Sequence, residues 1–566
     1  MVAPTETTIQ RINALIGQLN EDRSTFIDHW RDLANYILPR RARFDVDDRN
    51  KGSKKNSKII DNTATIAADT AAAGMHTGIT SSARPWFLLT IPDPELSEFR
   101  SVKQWLNTVT QRMRTVFNRS NLYNALPTVY GDEIVYGTAA MAVMEDSKDV
   151  IRCYTFPIGS YYLSQNHRCV VDVFVREFAM TVRQLVEQFG IDAVSTEVRS
   201  AYERGNLERW INVRWCVRPN PQYEDGALES SRKLYQSVYY EANASIHDEP
   251  LSVKGYDDFP VLCPRWALTG EDVYGTSPGM RALGDVMQLQ QEQKRKSQGI
   301  DKMVNPAMTA PISLQNRKAS LLPGDITYVD MAQGQQKFEP AHEVRLPLGE
   351  LKEDIADIRD RINRAFYADL FRMLIQSDRR QITAREVDER HEEKLLMLGP
   401  TLERQNDDML DPLIDRVFNI MLRRGIIPTP PQELEGMDLR VEYISIMAQA
   451  QKMIATAGVE RFAGFVGAVH AQVPEEGVPD KVDFDQMIDE YGEMVGVPPT
   501  IIRDDEQAQE IRQKRQQAIQ QQQQAALAES MSKTAQNLGS TDMQQDSALT
   551  RLADVAGAVP SGTGAA

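Results

Sequence analysis

Between residues 6 and 38 the apolar positions Ile9, Ile12, Leu15, Ile16 and Leu19, then Phe26, Ile27, Trp30, Leu33, Ala34 and Ile37, recur every three or four residues and stop ahead of Pro39. That spacing predicts two packed amphipathic helices. The next stretch, RRARFDVDDRNKGSKKNSK, is charged, contains Gly and Ser, and has no apolar period, which predicts a mobile loop. Helical texture resumes at DNTATIAADTAAAGMHTGIT. SARPWFLLTIPDP then predicts a short buried strand, and SVKQWLNTVTQRMRTVFNRS another amphipathic helix.

The period then drops from about four to two. TAAMAVMED, DVIRCYTFP, GSYYLSQN and CVVDVFVREFAM are short β-rich runs separated by turn residues, the pattern of an antiparallel meander. A helix at TVRQLVEQFG is followed by strand candidates in WINVRWCVRP, LYQSVYYEA and FPVLCPRWAL. Pro278 to Gln298 reads as helix, Asn305 to Arg345 as mixed and strand-prone, and Leu346 to Leu370 as helix again. On that last helix Leu351, Ile355, Ile358, Ile362 and Phe366 make one apolar stripe, while Glu350, Asp354, Asp357 and Arg361 share an adjoining face.

A Thr-x-x-Glu capping box, Thr383 to Glu386, predicts the start of a very long helix. It should run through Glu403 to Arg424, bend near Pro400 and Pro412, and stop at Gly425. Shorter helical pieces follow, then the Gln-rich EQAQEIRQKRQQAIQQQQQAALAES, built of good helix formers. The closing residues are small and polar and predict a disordered tail.

Composition narrows the function. With 566 residues, 42% hydrophobic and 25% charged, the chain can bury several cores or form one elongated subunit. Its formal charge of -16 argues against a protein that coats nucleic acid with a basic surface. Cys153, Cys169, Cys216 and Cys263 form no CxxC pair, so a reduced compartment fits best. No basic-then-apolar leader or long apolar run appears, which predicts a cytosolic product with no membrane insertion.

Two near-matches to chemical motifs fail at the residue that matters. HEEKL begins like HExxH, but a zinc site needs a second imidazole one turn after His391, and Leu395 stands there. GEDVYGTS has the glycines of a phosphate loop, but Thr276 occupies the place of the phosphate-binding lysine; a loop ahead of Pro278 at a helix start explains it better. Acidic neighbours such as Asp407 with Asp408, or Asp504 with Asp505, point in different directions on a helix and read as solvated faces. There is no GxSxG elbow. No metal, cofactor or catalytic centre is expected.

Three stretches together resemble the head-to-tail connector (portal) proteins of short-tailed, T7-like bacteriophages. The first is RDLANYILPR followed by DNTATIAADTAAAGMHTGITSSARPWFLLT, where an Ala/Gly-rich helix leads into Arg84-Pro85-Trp86-Phe87. The second is PRWALTGEDVYGTSPGMRALGDVMQLQ, with Arg265-Trp266, Tyr274-Gly275 and Ser277-Pro278-Gly279 before a helix. The third is the order of parts that follows: helix, mixed insert, helix, loop, very long kinked helix.

The resemblance implies an α+β portal fold. It would place a β-rich wing at residues 1-275, stem helix 1 at 276-302, a clip at 303-345 and stem helix 2 at 346-370. A channel loop at 371-381, a long kinked helix at 382-425, a helical crown at 426-500 and a Gln-rich barrel segment with a disordered tail at 501-566 would complete it. Such proteins form a twelvefold ring at one capsid vertex, through which terminase drives double-stranded DNA inward and from which the tail ejects it. Implied partners are copies of the chain, DNA, terminase, major capsid and scaffold proteins, the tail adaptor and internal ejection proteins. The implied location is the virion, with the host cytoplasm during assembly.

Arg372, Arg379 and Arg380, with Glu350, Asp354 and Asp357, become the channel candidates. The arginines would touch passing phosphates or, as the competing reading, pair with acids such as Asp378 or Glu386 of a neighbouring subunit. Twelve copies would carry roughly 190 formal negative charges, which suits sliding DNA rather than holding it. Two other classes stay open: an elongated coiled-coil scaffold, against which Pro400 and Pro412 count, and a Mg²⁺-dependent nucleic-acid enzyme.

Overall fold

The computed structural model describes residues 7–48, 52–93, 99–226, 229–243, 249–306, 308–309, 339–340, 347–377, 398–434, 439–444, 462–469, 482–495 and 505–539. It divides into two compact units, Met1–Gly458 and Val459–Ala566.

Helix α1, Thr8–Tyr36, starts on a capping box in which the Thr7 hydroxyl accepts from the Gln10 amide and the Gln10 side chain accepts from the Thr7 amide. In place of two packed helices it is one continuous helix of 29 residues. Gly17 lies on its exposed side and no proline interrupts it, so one backbone ladder carries both apolar stripes. The first stripe, Ile9, Ile12, Ile16 and Leu19, packs on a β-sheet against Tyr162, Val175, Cys216 and Val238. The second, Trp30, Leu33 and Ala34, enters the main core.

The segment expected to be mobile is tied down at its start. Arg41 clamps the Asp132 carboxylate through two nitrogens, with Nε 2.8 Å from Oδ1, and the Arg43 amide donates to the Ile158 carbonyl at 2.9 Å.

Helix α2 is Thr63–Ile79, strand β1 Phe87–Thr90 and helix α3 Arg100–Arg119. Helix α4, Leu122–Tyr136, has no counterpart in the sequence reading. It is buried over most of its circumference, from Leu122 and Ala125 to Asp132, Glu133 and Tyr136, so it shows no amphipathic period, and Pro127 and Gly131 disguise it further.

The expected meander divides between two antiparallel sheets. Strands β2 (Ala140–Asp146) and β3 (Val150–Phe156) join the short β9 (Val261–Leu262) in the order β3-β2-β9. Strands β4 (Tyr161–Gln165), β5 (Val171–Thr181), β6 (Trp210–Pro219), β7 (Tyr235–Glu241) and β8 (Ser252–Tyr256) form a five-stranded meander. Two short helices, α5 (Val182–Phe189) and α6 (Thr196–Glu203), lie between β5 and β6.

Helix α7, Pro278–Val304, and helix α8, Leu348–Ala365, pack side by side. The expected stripe of α8 is realised: Ile355, Ile358, Ile362 and Phe366 are buried, with Leu351 packed at its edge. Between them Met308–Thr309 and Glu339–Pro340 are paired antiparallel. After α8 the chain turns at Tyr367, whose φ of 54° is unusual for a residue with a side chain, and re-enters helix α9, Ala368–Ser377. Residues 371–377 are therefore helical rather than the first part of a loop, because Leu370 and Phe371 continue an apolar face into the core.

Within the long helix, the expected start at 382, the capping box and HEEKL lie outside the described residues. The described part is helix α10 (Gly399–Gln405), a π-turn (Asn406–Leu410) and helix α11 (Asp411–Arg423). Both prolines sit in the first turn of a segment. Pro412 has no N–H to return to the Asp408 carbonyl, and the ladder widens to the π register just before it. The helix ends at Gly425 as expected, with φ at 65° and a Schellman pair: Ile426 N–H to Met421 O and Gly425 N–H to Leu422 O, both 3.0 Å. Strand β10, Arg440–Tyr443, then pairs with β1.

In the second unit a helix over 462–469 precedes helix Phe484–Val495 and the Gln-rich helix Asp505–Gly539. The last has no apolar stripe, and residues 509–526 of it are exposed.

Candidate functional site

The helix pair α7 and α8 presents the charge that the sequence picked out. Glu350, Asp354 and Asp357 are all exposed on α8. Arg361 reaches Asp357 one turn away at 3.7 Å and Asp285 on α7 at 3.5 Å, so it pins the two helices together at their polar edge. Arg372 is exposed on α9, 3.6 Å from Asp369, instead of standing on a loop. Arg379 and Arg380 lie outside the described residues.

A clasp that sequence reasoning missed fixes this pair to the rest of the fold. Asp61 precedes α2. Its Oδ1 accepts from the Thr63 amide and hydroxyl at 3.0 and 2.6 Å. Its Oδ2 accepts from Gln293 on α7 at 2.9 Å and from Arg359 on α8 at 3.1 and 2.7 Å. Gln290 on α7 accepts from the amides of Ile60 and Asp61 and donates back to the Asp61 carbonyl at 2.8 Å. Burial alone would raise the Asp61 carboxyl, but the Thr63 and Arg359 hydrogen bonds hold it below the usual carboxylate range. One loop is thereby stitched to both long helices.

The motif Tyr274-Gly275-Thr276-Ser277-Pro278 joins the β-rich part of the fold to α7. Tyr274 is buried and its hydroxyl accepts from the Leu163 amide at 3.1 Å, tying the loop to β4. Gly275 lies against Gly137, which ends α4 with φ at 82°. A Cβ at Gly275 would sit 2.4 Å from the Gly137 carbonyl oxygen, so the two chains can cross only as glycines. Ser277 caps α7, accepting from the Met280 amide at 3.0 Å and donating to the Val135 carbonyl at 2.7 Å. The near-match to a phosphate loop is thus a packed junction with Pro278 in the first turn.

Arg265, earlier in the same run, is 2% exposed. Its Nε and Nη2 lie 3.0 and 3.1 Å from the two oxygens of Asp408, Nη1 donates to Gln165 at 3.0 Å, and Nη2 also donates to the Cys169 carbonyl at 2.9 Å. It locks the π-turn to the β4–β5 hairpin. Asp407 and Asp408 do point apart, but Asp408 is an ion-pair partner and not part of a solvated face. Asp407 instead lines a cavity of about 380 Å³ with Glu403, Asp411, Asp415 and Tyr443. Burial and neighbouring Asp411 push the Asp415 carboxyl up to about 6.

Among the described residues no three His, Cys, Asp or Glu side chains are placed to hold a metal ion, and no helix is long and apolar enough to cross a membrane. All four cysteines are free. Among the described residues, the Asp61 clasp, the Gly137–Gly275 crossing and the Arg265 ion pair each join one structural part to another.

The fold is a β-rich part locked to a long helix pair with a charged face, and the sequence comparisons give it a family. The chain belongs to the bacteriophage head to tail connecting proteins, matching that family over residues 9–502. It is 48% identical over 554 residues to the portal protein of Salmonella phage epsilon15, covering 98% of this chain and 99% of that protein. It is 45% identical over 534 residues to the probable portal protein of Bordetella phage BPP-1, covering 94% and 96%. The family is a structural, non-enzymatic part of the phage.

Proposed function

We propose that this chain forms a ring at one capsid vertex, serving as the conduit for genome packaging and ejection and as the attachment point for the tail. The carrying observation is its near full-length similarity to a phage portal protein. In this reading the ring has twelve copies, terminase docks on it during packaging, and tail adaptor and ejection proteins follow. Capsid and scaffold proteins surround it, first in the host cytoplasm and then in the virion.

The parts are assigned as the sequence suggested, with one change. Residues up to 275 form the wing, α7 and α8 the stem, and 303-345 the clip; 426-500 form the crown. Because Ala368–Ser377 is helical, the channel segment is placed after Ser377, where Arg379 and Arg380 fall. Glu350, Asp354, Asp357 and Arg372 remain channel candidates because all four are exposed. The Gln-rich helix has no apolar face of its own, which favours a role beside its copies, as a barrel. Deleting residues after Thr500 should leave rings intact and alter packaging or ejection. Loss of rings on that deletion would place the segment in the assembly interface instead.

A further inference from the structure

Glu133 on α4 and Gln405 at the end of α10 are both fully buried and meet side chain to side chain. The Gln405 Nε2 donates to Glu133 Oε1. That leaves Glu133 Oε2 and Gln405 Oε1, two acceptors, each buried and each without a hydrogen-bond donor among the described residues. Buried polar oxygens are normally satisfied, and an ionised carboxylate can only accept. A single proton on Oε2 makes it a donor and removes both vacancies: the acid O–H donates to the amide oxygen while the amide N–H donates to the acid carbonyl.

We propose that Glu133 is a neutral carboxylic acid at neutral pH and forms a closed acid–amide pair with Gln405, a proton-dependent latch that holds α10 and its π-turn onto α4. The surroundings agree with the hydrogen-bond accounting. Among the described residues no cation pairs with Glu133. Asp408, on the π-turn, is the charged group that acts on it, and that carboxylate is itself paired with Arg265. Tyr130, one turn back on α4, is a neutral phenol occupied with Thr80. Asp132 beside it in sequence is clamped by Arg41. Burial, with the Asp408 charge, pushes the Glu133 carboxyl well above its ordinary range. When the acid ionises, its O–H is lost and the two buried oxygens are again left without a donor, so the latch opens at the π-turn where the helix ladder is already widened.

The sign of the pH effect is fixed by linkage. A carboxyl whose folded value is raised binds its proton more tightly folded than unfolded, so its contribution is full below the unfolded value. It is lost progressively as pH rises towards the folded value. Glu133→Gln replaces the acid by an amide that keeps both hydrogen bonds at every pH. The experiment is calorimetric melting of wild-type and Glu133→Gln protein from about pH 4.5 to about pH 8.5, with infrared spectra of both at neutral pH. The variant should melt with the wild type at the acid end and above it at the alkaline end, the ratio of unfolding constants widening by about tenfold per pH unit. The wild-type infrared spectrum should contain a protonated-carboxyl band that the variant lacks. A constant difference across pH, no missing band, or a variant that fails to fold would each overturn the proposal, since an amide preserves the pair that the acid is said to make.

Discussion

Arg265→Ala tests whether the β4–β5 hairpin and the π-turn between α10 and α11 are held by a buried ion pair. The wild-type guanidinium is 2% exposed and makes four contacts between 2.9 and 3.1 Å, two of them with Asp408, whose side chain is 13% exposed. Removing one partner of such a pair leaves the other charge uncompensated, which costs about 3–5 kcal/mol. The compact unit Met1–Gly458 has an unfolding entropy on the order of 1 kcal/mol per degree, from ~2.1 cal/mol/K per residue. The melting midpoint should therefore fall by roughly 3–5 °C in calorimetry. Asp408→Leu alone should fall comparably, and Arg265→Met with Asp408→Leu should recover at least half the loss, because apolar isosteres relieve both desolvated charges. A midpoint within about 1 °C of wild type, the behaviour of an exposed pair, would refute the reasoning. Strict additivity in the double variant would do the same.

Three further outcomes are expected. Gly74→Leu on α2 should lower the melting midpoint by a few degrees and loosen α9, because even a Cβ there would lie 2.4 Å from the Phe371 Cβ; hydrogen exchange of the α9 amides would report it, and unchanged exchange would count against the packing. Asp61→Asn should weaken the clasp at neutral pH and flatten the acid limb of the stability curve. The wild-type contribution is complete above the unfolded carboxylate value and is lost as pH falls through the lowered folded value, so variant and wild type should converge at low pH in urea titrations. Arg379→Ala with Arg380→Ala should preserve rings but reduce DNA retained in assembled heads, an effect weakened by salt; failure to form rings would favour an inter-subunit ion pair, and normal rings with normal packaging would remove both roles.

How much of this was legible follows from the range of each signal. Ser277-Pro278 and the stripe from Ile355 to Phe366 are local patterns, and they appear where the sequence places them. Gly425 likewise announces a helix end because a positive φ is cheap only there. Helix α4 is hidden by its own burial, since a helix apolar on every side carries no period. Tyr367 breaks the helix with a left-handed backbone that no residue type signals, and residues 371–377 continue in α9 where the sequence predicts a loop. The clasp joins Asp61 to Gln290 and Arg359, 229 and 298 residues away, and Arg265 finds Asp408 across 143 residues. Nothing in a local pattern distinguishes an aspartate such as Asp408 from the exposed Asp407 beside it.

The central claim is that this chain is a ring-forming conduit, and electron microscopy of the purified protein tests it most directly. The account predicts rings with a central hole, wide enough at the stem to pass duplex DNA, in which α7 and α8 of neighbouring copies stand side by side. Rods, or small globules of one or two copies under every salt condition tried, would contradict it.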